Sequence, residues 1–376
     1  MAGARVLFAG GGTGGHLYPA LNLAAAVRRA DPAAEVFFVG ARRGVEARVL
    51  PEKGVPHELL ALEPLRRAQP LANWRLVPSA LSSLAGLRRI FRAFRPELVV
   101  GTGGYASGPA VAWALLTGVP AAVQEQNSFP GFVTRRVARR VRQLHLAFPE
   151  ARGWLKPGPR TEVFEHGNPI DPPDLSTDRA AARARFGLGG GTVCLVVGGS
   201  QGARAVNEAL LADLRGVTEG RLEPPPAGFE LLWATGPAHF DSISARLGEI
   251  GRPAWVRALP YIQDMPGALA SADFAVSRAG AMSLAELCAW GVPPILVPLP
   301  TAAADHQHHN AVALADAGAA LLVPEAELAS GRLWTSILQL ADSPERRAAI
   351  GAAARARGRP DAADRIARDM LRLVEK

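Results

Sequence analysis

Short apolar runs rich in β-branched residues recur along the chain, and each ends in glycine. Residues 192–197 read TVCLVV, residues 198–202 read GGSQG, and the residues that follow have the apolar spacing of a helix. Residues 5–8 and the glycine-rich segment 10–15 repeat this order near the N-terminus, and residues 98–100 begin a third copy. Such apolar runs predict buried parallel strands, and the glycines predict a tight turn into a helix.

The glycine segments predict sites for anions. A strand that turns directly into a helix leaves backbone N–H groups and the positive end of the helix dipole facing one way, which suits phosphate. The glycines of residues 10–14 match those of residues 198–202 in spacing. Two halves that open alike predict an α/β fold of two doubly wound, Rossmann-like domains that face each other across a cleft. For any single loop, glycines needed only for packing remain the alternative.

Length and composition favour two globular domains. The chain has 376 residues, 48% of them hydrophobic and 20% charged, so each half is long enough to have its own core. We predict an N-terminal domain over residues 1–167 and a C-terminal domain over residues 168–359, joined at Gly167-Asn168-Pro169. The terminal helix, about residues 360–376, is predicted to pack back on the first domain.

Cysteine use and the N-terminal segment favour a cytoplasmic protein. The two cysteines, Cys194 and Cys288, lie in apolar runs and are interpreted as buried thiols, so neither a disulfide framework nor a cysteine-based zinc site is expected. The first fifteen residues are too rich in glycine for a signal peptide. The longest uncharged run, residues 106–123, is interrupted by prolines and a glycine, which favours a short helix and a strand over a membrane span.

Positive charge is concentrated in the first half of the chain. Residues 1–166 contain 22 Lys and Arg against 11 Asp and Glu, whereas the whole chain has a net charge of +8. This asymmetry indicates an anionic partner, either nucleic acid or a lipid surface, or else reflects a high arginine content on solvated faces. RNA binding needs exposed aromatic residues among the arginines, and the chain has only three tyrosines, so nucleic acid is not expected.

Two basic helices are predicted in that half. Residues 74–94 carry apolar residues at helical spacing, with arginines between and after them. The predicted core face comprises Val77, Leu81, Leu84, Leu87, Phe91 and Phe94. The arginine face is expected either to lie on acidic headgroups, with Trp74 near the interface, or to be the solvated side of an ordinary amphipathic helix. The second helix, residues 134–143, carries five arginines.

The sequence offers little to bind a metal or a dinucleotide. No Asp-x-Asp pair occurs, so phosphate is expected to be held by backbone N–H groups, helix ends and arginine. His306, His308 and His309 have poor ligand spacing and no cysteine partner, and we predict no metal and no cofactor. Residues 40–43, after the second strand, lack the acid that a dinucleotide site needs. By contrast, the polar residues 124–128 at a strand end suit a sugar or a hydroxyl.

Six motifs occur in order along nearly the whole chain. They are GGTGGHLYPA (11–20), GTGGYASGP (101–109), QEQNSFPG (124–131), GGSQGARAVN (198–207), SRAGAMSLAEL (277–287) and DHQHHNA (305–311). Together they closely resemble the MurG family of peptidoglycan glycosyltransferases, which convert lipid I to lipid II. The resemblance implies a GT-B fold, UDP-GlcNAc as donor and undecaprenyl-diphosphoryl-MurNAc-pentapeptide (lipid I) as acceptor. It also implies a peripheral enzyme on the anionic, cytoplasmic face of the inner membrane.

The resemblance also implies a site, residue by residue. The donor side would comprise Thr13, Gly14, Gly15, Asn127, Ser200, Gln201, Gly202, Ile262, Arg278, Ala281, Met282, Glu286, His306 and Gln307. Within this set the 198–202 loop would hold the diphosphate, Glu286 the ribose, and His306 with Gln307 the GlcNAc hydroxyls. The acceptor side would comprise Thr13, His16, Gly103, Gly104, Tyr105 and Asn127. The catalytic candidates are His16, Glu125 and Asn127.

The implied reaction is a single inverting displacement, in which the MurNAc 4-hydroxyl attacks C1 of GlcNAc and UDP leaves. A neutral imidazole such as His16 is suited to remove the hydroxyl proton, or else it only positions the acceptor diphosphate. Two positions depart from the family, because Asp171 stands where an arginine is usual and His306 replaces a glutamine of some relatives. The competing interpretations are a related diacylglycerol glycosyltransferase and a non-catalytic binder of anionic surfaces.

Overall fold

The computed structural model describes residues 3–63, 74, 76–199 and 201–374. The chain forms two units, of which unit 1 runs to Asp171 and resumes at Pro360, and unit 2 runs from Pro172 to Arg359. Ser200, a predicted donor residue, lies outside the described residues.

Unit 1 is built on a parallel sheet of short, buried strands. In chain order they are β1 Arg5–Ala9, β2 Glu35–Ala41, β3 His57–Leu60, β4 Leu98–Gly101, β5 Ala121–Glu125, β6 Gln143–Leu146 and β7 Glu162–Phe164. Among the described residues they pair in the order β3-β2-β1-β4-β5-β6-β7. The chain therefore reverses its direction across the sheet between β1 and β4, which is the switch point of a doubly wound fold.

Helices cover both faces of this sheet. They are α1 Gly14–Ala30, α2 Glu46–Glu52, α3 Val77–Phe94, α4 Gly104–Thr117 and α5 Phe132–Val137, with a 3-10 helix at Pro149–Trp154. Phe8 packs into the core on one face, where it stacks on Phe38 with ring centroids 5.5 Å apart, and its neighbour Leu7 packs into the core on the other face. The strands are continuous apolar runs because both of their faces are buried.

The last helix of the chain completes unit 1. This helix, α14 (Ala362–Leu371), packs along α1, and its Ile366 and Met370 are fully buried in their shared core. The Gln143 amide on β6 donates to the carbonyl of Asp369 over 2.9 Å. The segment that follows unit 2 in sequence is therefore part of the core of unit 1.

Unit 2 repeats the arrangement. Its strands are β8 Val193–Val197, β9 Glu230–Ala234, β10 Val256–Leu259, β11 Phe274–Ser277, β12 Pro294–Leu296 and β13 Leu321–Leu322. Within the described ranges they pair in parallel in the order β10-β9-β8-β11-β12-β13, so the switch point lies between β8 and β11. The predicted α/β fold with two doubly wound sheets is confirmed.

The helices of unit 2 enclose a core that contains two buried tryptophans. They are α6 Arg179–Arg185, α7 Arg204–Thr218, α8 Phe240–Glu249, α9 Met265–Ser271, α10 Ala281–Trp290, α11 His306–Asp316, α12 Arg332–Asp342 and α13 Pro344–Arg357. Two 3-10 helices are also present, at Ala303–Asp305 and Glu325–Ser330. Trp233 on β9 and Trp334 on α12 lie in one hydrophobic cluster with α7.

The packing of α3 differs from the prediction. Val77, Leu81 and Leu84 are predicted on the core face, but they are 52%, 64% and 48% exposed. Gly86 is buried instead, and a Cβ there would lie 2.5 Å from a methyl carbon of Leu60 on β3. A small residue faces the sheet here, because the helix lies too close to β3 for a larger one.

The second basic helix is also shorter than predicted. The prediction is one helix over residues 134–143, but α5 ends at Val137 and β6 begins at Gln143. The N–H of Arg142 donates to the carbonyl of Ala121 over 2.8 Å, which draws this segment into the sheet. In the described part of the chain, no helix is both long and apolar enough to cross a bilayer.

Candidate active site

Three loops of unit 1 meet at the switch point of its sheet, directly after β1, β4 and β5. Thr102, after β4, ties the other two together: its Oγ1 donates to the carbonyl of His16 over 2.7 Å, and its carbonyl accepts from Gln126 Nε2 over 2.8 Å. Since ligands of doubly wound folds bind at this edge, the loops form the candidate acceptor region.

Glycine is required at two positions of the β4 loop. Gly103 and Gly104 have φ values of 94° and 73°, in the region that side chains rarely adopt. A Cβ on Gly104 would lie 2.0 Å from the carbonyl oxygen of Gly11, and one on Gly103 would lie 2.8 Å from His16 Nδ1. The two glycines therefore allow the β1 and β4 loops to touch.

A buried carboxylate that the sequence analysis missed holds the β1 loop. Glu46, the first residue of α2, is fully buried, and its two oxygens accept from the N–H of Gly12 over 3.1 and 2.9 Å. One of them also accepts from the N–H of Ala41 over 2.8 Å. The Gly12 amide is thus used within the protein and does not face a phosphate. The sequence does contain a signal for this carboxylate, because Glu46 is an acidic residue that follows the second strand just beyond residues 40–43.

His16 lies in the first turn of α1 and is half-buried. Its Nδ1 is 3.0 Å from Gln126 Oε1. Thr13, the residue before this helix, and Gly15 are exposed, and Gly14 is half-buried. The predicted residues of this turn therefore border solvent, while the imidazole is held from the protein side.

The polar segment after β5, which was predicted to suit a sugar or a hydroxyl, is largely internal. Gln124 and Gln126 are buried, and the Gln126 amide donates to the carbonyl of Gln124 over 2.9 Å. Gln124 Nε2 lies 3.1 Å from Asn168 Oδ1, and Asn168 Nδ2 donates to the carbonyl of Gln126 over 3.1 Å. These amides hydrogen-bond to one another beneath the loops, and of the uncharged residues in the segment only Asn127 is partly accessible.

The Glu125 carboxylate is also turned into the protein. Its Oε2 accepts from Thr134 Oγ1 over 2.6 Å and from the N–H of Gly131 over 2.9 Å. Its Oε1 accepts from the N–H of Asn127 over 3.1 Å. The carboxylate therefore fixes the turn that leads into α5 and sets the position of Asn127.

Tyr105 packs against the β1 loop from α4. A Cβ on Gly12 would lie 2.6 Å from the Tyr105 ring, so the ring and the glycine are in close contact. Burial raises the pKa of the Tyr105 hydroxyl, and the charges of Glu46 and Glu63 raise it further. The hydroxyl therefore remains protonated at neutral pH and can donate a hydrogen bond.

The glycine loop of unit 2 is packed as closely as the loops of unit 1. Gly202, with a φ of 77°, closes a turn by donating to the carbonyl of Gly199 over 3.0 Å. A Cβ on Gly202 would lie 2.1 Å from the carbonyl oxygen of Thr235. Asn207 on α7 donates to that carbonyl over 2.7 Å and so joins α7 to the end of β9. Gln201 is exposed at the tip of the loop.

Arg278 follows β11 and supports the adjacent loop. Its guanidinium donates to the carbonyls of Val297 and Pro298, both over 3.1 Å, and forms an ion pair of 2.5 Å with Glu325. These contacts hold the segment after β12 beside the N-terminus of α10. The charge of Arg278 is therefore largely balanced within the protein.

The remaining predicted donor residues lie on three other elements of unit 2. Ala281 and Met282 open α10, where Glu286 is half-buried one turn later. Gln307 Oε1 accepts from the N–H of Leu299 over 3.0 Å. Ile262, after β10, has a buried side chain, so it can offer only its backbone to a ligand.

His306, the first residue of α11, has a partner within the protein. His306 Nδ1 lies 2.7 Å from the carbonyl of Ala303.

Among the described residues, a metal could be held by His145, His166 and Asp369, whose potential ligand atoms lie within 4.8 Å of one another. His166 Nε2 and Asp369 Oδ2 are already paired at 2.6 Å. This group is buried beneath α14 and contains none of the predicted site residues.

Two doubly wound units, each with a glycine loop at its switch point, define a protein of the GT-B class of glycosyltransferase folds. Residues 6–145 match the Glycosyltransferase family 28 N-terminal domain, and residues 193–366 match the Glycosyltransferase family 28 C-terminal domain. The chain belongs to glycosyltransferase family 28 and, within it, to the MurG family.

Curated relatives match the chain over almost its full length. A Chlorobaculum parvum protein is 41% identical over 374 residues, which cover 98% of this chain and 99% of the relative. A Moorella thermoacetica protein is 39% identical over 379 residues and covers 99% of both chains. Both are named UDP-N-acetylglucosamine--N-acetylmuramyl-(pentapeptide) pyrophosphoryl-undecaprenol N-acetylglucosamine transferase.

Solved structures agree with this family. The crystal structure of Acinetobacter baumannii MurG superposes with a TM-score of 0.74 at 27% identity and covers 98% of this chain and 99% of that chain. The calicheamicin glycosyltransferase CalG4 shares the fold alone, with a TM-score of 0.66 at 16% identity and full coverage of both chains. The predicted GT-B fold, the resemblance to the MurG family and the assignment as a glycosyltransferase are confirmed.

Proposed function

We propose that the chain transfers N-acetylglucosamine from UDP-GlcNAc to the 4-hydroxyl of MurNAc in lipid I, which yields lipid II for peptidoglycan synthesis. The relatives that carry this activity in their names are 39% and 41% identical over 98–99% of the chain. The observation that carries the proposal is this full-length identity together with a glycine loop at the switch point of each sheet.

Unit 1 is proposed to bind the acceptor. Thr13 and the start of α1 offer N–H groups and a positive helix end to the lipid diphosphate. The protonated Tyr105 hydroxyl and the Asn127 amide supply donors beside the same loops. Asp171, exposed at the end of unit 1, offers no positive charge to the diphosphate, so the loops bear that role here.

Unit 2 is proposed to bind the donor. The 198–202 loop and the N-terminus of α7 face the UDP diphosphate, and Glu286 accepts from the ribose hydroxyls. Since Gln307 Oε1 is used by Leu299, its amide nitrogen is the atom left to contact a GlcNAc hydroxyl. We propose that Arg278 shapes the nucleotide pocket through its contacts with the β12 loop.

The proposed reaction is one displacement with inversion. The MurNAc 4-hydroxyl oxygen forms a bond to C1 of GlcNAc, the bond from C1 to the diphosphate oxygen breaks, and UDP leaves with the bonding electrons. His16 takes the hydroxyl proton as general base. The negative charge that develops on UDP is stabilised by the N–H groups of the unit 2 loop and by the dipole of α7. Glu125 acts indirectly, by holding Asn127 in position.

The test is UDP release from UDP-GlcNAc with a lipid I analogue, diacylglycerol or no acceptor, each with and without EDTA. We expect turnover only with the lipid I analogue and no effect of EDTA. Replacement of His16 by alanine is expected to lower kcat by about 10²–10⁴-fold. Turnover with diacylglycerol alone would favour the related lipid glycosyltransferase, and UDP binding without turnover on any acceptor would contradict the acceptor assignment.

We also propose that unit 1 binds the anionic, cytoplasmic surface of the inner membrane. Val77, Leu81 and Leu84 follow one another at spacings of four and three along α3, which places them on one face of the helix. Arg88 and Arg92 continue the same stripe and are exposed. An apolar half that inserts among acyl chains and a basic half that contacts headgroups are typical of an interfacial helix.

A further inference from the structure

Three neighbouring strands of unit 2 end at one edge of the sheet and bring distant residues together there. β11, β12 and β13 are parallel and adjacent in that order, so their carboxyl ends lie side by side. Arg278 is the first residue after β11, Val297 is the first after β12, and Glu325 follows shortly after β13. The N–H of Val297 donates to the carbonyl of Ser277 over 2.9 Å, so the strands stay aligned at this edge.

The Glu325 carboxylate pairs with the Arg278 guanidinium in a place that is largely shielded from water. Glu325 Oε2 lies 2.5 Å from Arg278 Nη2, and the two side chains are only 25% and 11% exposed. Glu325 is the first residue of its 3-10 helix and directly follows Pro324, whose ring restricts the backbone. Removal of one partner of a shielded pair leaves the other charge uncompensated, so each side chain holds the other in place.

The other end of the guanidinium holds the segment after β12. Arg278 Nη1 donates to the carbonyls of Val297 and Pro298, both over 3.1 Å. The N–H of the next residue, Leu299, donates to Gln307 Oε1 over 3.0 Å. This three-residue segment is therefore held between Arg278 on one side and Gln307 on the other. A shift of the guanidinium would be passed through the segment to the Gln307 amide.

We propose that Glu325 is a positioning residue for the sugar part of the donor: it fixes Arg278 and, through the segment after β12, the Gln307 amide that contacts GlcNAc. The proposal rests on the proposed function for the identity of the sugar nucleotide. UDP itself is proposed to be held by other elements, the 198–202 loop and Glu286. A change at Glu325 is therefore expected to weaken the binding of UDP-GlcNAc more than the binding of UDP.

The first experiment measures the binding of UDP-GlcNAc and of UDP to the full chain by titration calorimetry, without an acceptor. Hydrogen bonds to charged groups are strong, so Glu325→Leu is expected to raise the Kd for UDP-GlcNAc about tenfold and the Kd for UDP less than about threefold. Equal changes for the two ligands, or no change for either, would overturn the proposal.

Glu325→Gln replaces Glu325→Leu if the leucine variant does not fold, which circular dichroism checks. Glutamine has the same size and keeps an acceptor oxygen but lacks the charge. Since charge-assisted hydrogen bonds are roughly twice as strong as neutral ones, we expect a smaller rise of about threefold in the Kd for UDP-GlcNAc. An unchanged Kd in this variant would then overturn the proposal.

The second experiment asks whether Glu325 acts through Arg278. In Arg278→Met the guanidinium is absent, so the addition of Glu325→Leu is expected to cause no further loss of UDP-GlcNAc binding. Residues that act through one contact are non-additive in this way, whereas independent residues give additive losses. Additive losses would show that Glu325 acts by another route and would overturn the proposal.

The third experiment separates positioning from structural support by steady-state kinetics. A smaller fraction of folded enzyme lowers kcat alone, whereas a positioning role raises the KM for UDP-GlcNAc and leaves the KM for the lipid I analogue unchanged. We expect the second pattern for Glu325→Leu, and a fall in kcat alone would overturn the proposal. If the wild type has no turnover with any acceptor, the proposed function fails, and the titrations still decide the role of Glu325.

Glu327→Leu is the matched control for all three experiments. Glu327 lies on the same 3-10 helix, and its ion pair with Arg332, at 4.0 Å, is exposed. Exposed pairs contribute little, so this variant is expected to bind both ligands as the wild type does. A loss equal to that of Glu325→Leu would overturn the proposal, because it would not depend on the contact with Arg278.

Discussion

At the scale of single residues, buried acceptors control loops that are made mostly of backbone. Glu46 and Gln126 are almost inaccessible to solvent, yet each determines how a group at the candidate acceptor region is presented. Glu46 accepts from loop N–H groups, and Gln126 Oε1 lies 3.0 Å from His16 Nδ1. Since an unpaired buried donor costs about 1–3 kcal/mol, such acceptors are energetically important although they touch no substrate.

The role of Glu46 is tested by its replacement with glutamine. The new side chain would retain one oxygen but would present an NH₂ group to a backbone N–H, so we expect the free energy of unfolding to fall by about 1–3 kcal/mol. The β1 loop should loosen, which raises the KM for the lipid I analogue but leaves UDP binding by unit 2 unchanged. Urea unfolding and steady-state kinetics measure the two effects.

Glu52→Gln is the control for this prediction. Glu52 lies on the same helix but is exposed, and within the described ranges its one ion pair is with Arg48, at 3.5 Å. Exposed pairs of this kind contribute little, so this variant is expected to resemble the wild type. Unchanged stability in Glu46→Gln would contradict the loop-holding role.

At the scale of elements, α3 shows how a helix can leave large apolar residues in solvent. Gly86 allows a close approach to β3, and Leu87 and Ile90 bury the C-terminal half of the helix. The N-terminal half then presents its leucines outward, in line with exposed arginines. An exposed apolar face beside positive charge is typical of a surface for lipid.

The α3 stripe is tested by Leu81→Glu combined with Leu84→Glu. Burial of a leucine side chain contributes about 1.5–3 kcal/mol, so loss of two is expected to weaken binding to vesicles that contain anionic phospholipid by about a hundredfold or more. UDP release with a water-soluble acceptor analogue should be unchanged. Co-sedimentation with vesicles, at low and high salt, measures the binding.

Leu116→Glu is the matched control, since Leu116 is 73% exposed on α4 and lies outside the stripe. It is expected to bind vesicles as the wild type does. Equal losses of vesicle binding in the α3 double variant and in Leu116→Glu would show that exposed leucines contribute wherever they lie. The assignment of the lipid-binding surface to α3 would then be wrong.

At the scale of the whole molecule, the two units carry buried groups that respond to pH in opposite ways. In unit 1, burial together with the nearby His166 lowers the pKa of His145 to about 3. In unit 2, burial raises the pKa of Asp213 on α7 to about 7. Within the described residues, Asp213 Oδ2 is buried without a hydrogen-bond partner, which is why its charged form is disfavoured.

The signs of the two contributions follow from proton uptake by the unfolded chain. Below about pH 6.5 the unfolded chain protonates His145 and the folded unit 1 does not, so acid destabilises unit 1. Between about pH 4 and pH 7 the folded unit 2 holds a proton on Asp213 and the unfolded chain does not, so unit 2 loses stability as the pH rises. Each group changes the free energy of unfolding by at most about 1.4 kcal/mol per pH unit.

Asp213→Asn tests this pattern. The amide cannot ionise, so the variant is expected to gain about 2 kcal/mol more stability at pH 7 than at pH 5. Hydrogen exchange, which reports the two units separately, should show the gain in unit 2 and none in unit 1. An equal gain at both pH values would mean that Asp213 is already ionised in the folded protein.

Local patterns were enough to predict much of the fold. The apolar runs that end in glycine predicted the strands β1, β4 and β8 at the centre of the two sheets, and the ordered motifs identified the family. Local patterns could not predict the contacts at the candidate site, because these contacts join positions that are distant in the sequence. His16 and Gln126 are 110 residues apart, and Gly12 and Glu46 are 34 apart. Periodicity also predicted a core face for α3 that is wrong in its first half, since it cannot show that a glycine lies at the contact.

The sequence by itself determined the two doubly wound sheets, the glycine loops at their switch points and the family, because strand, turn and helix signals act over a few residues. The assignment of individual site residues to donor, acceptor and catalysis stays a prediction. Only the tertiary structure decided that Glu46 holds the β1 loop, that Gln126 faces His16 and that α3 turns its leucines outward. These features depend on which side of each strand or helix meets its neighbour, and that is set by packing of the whole unit.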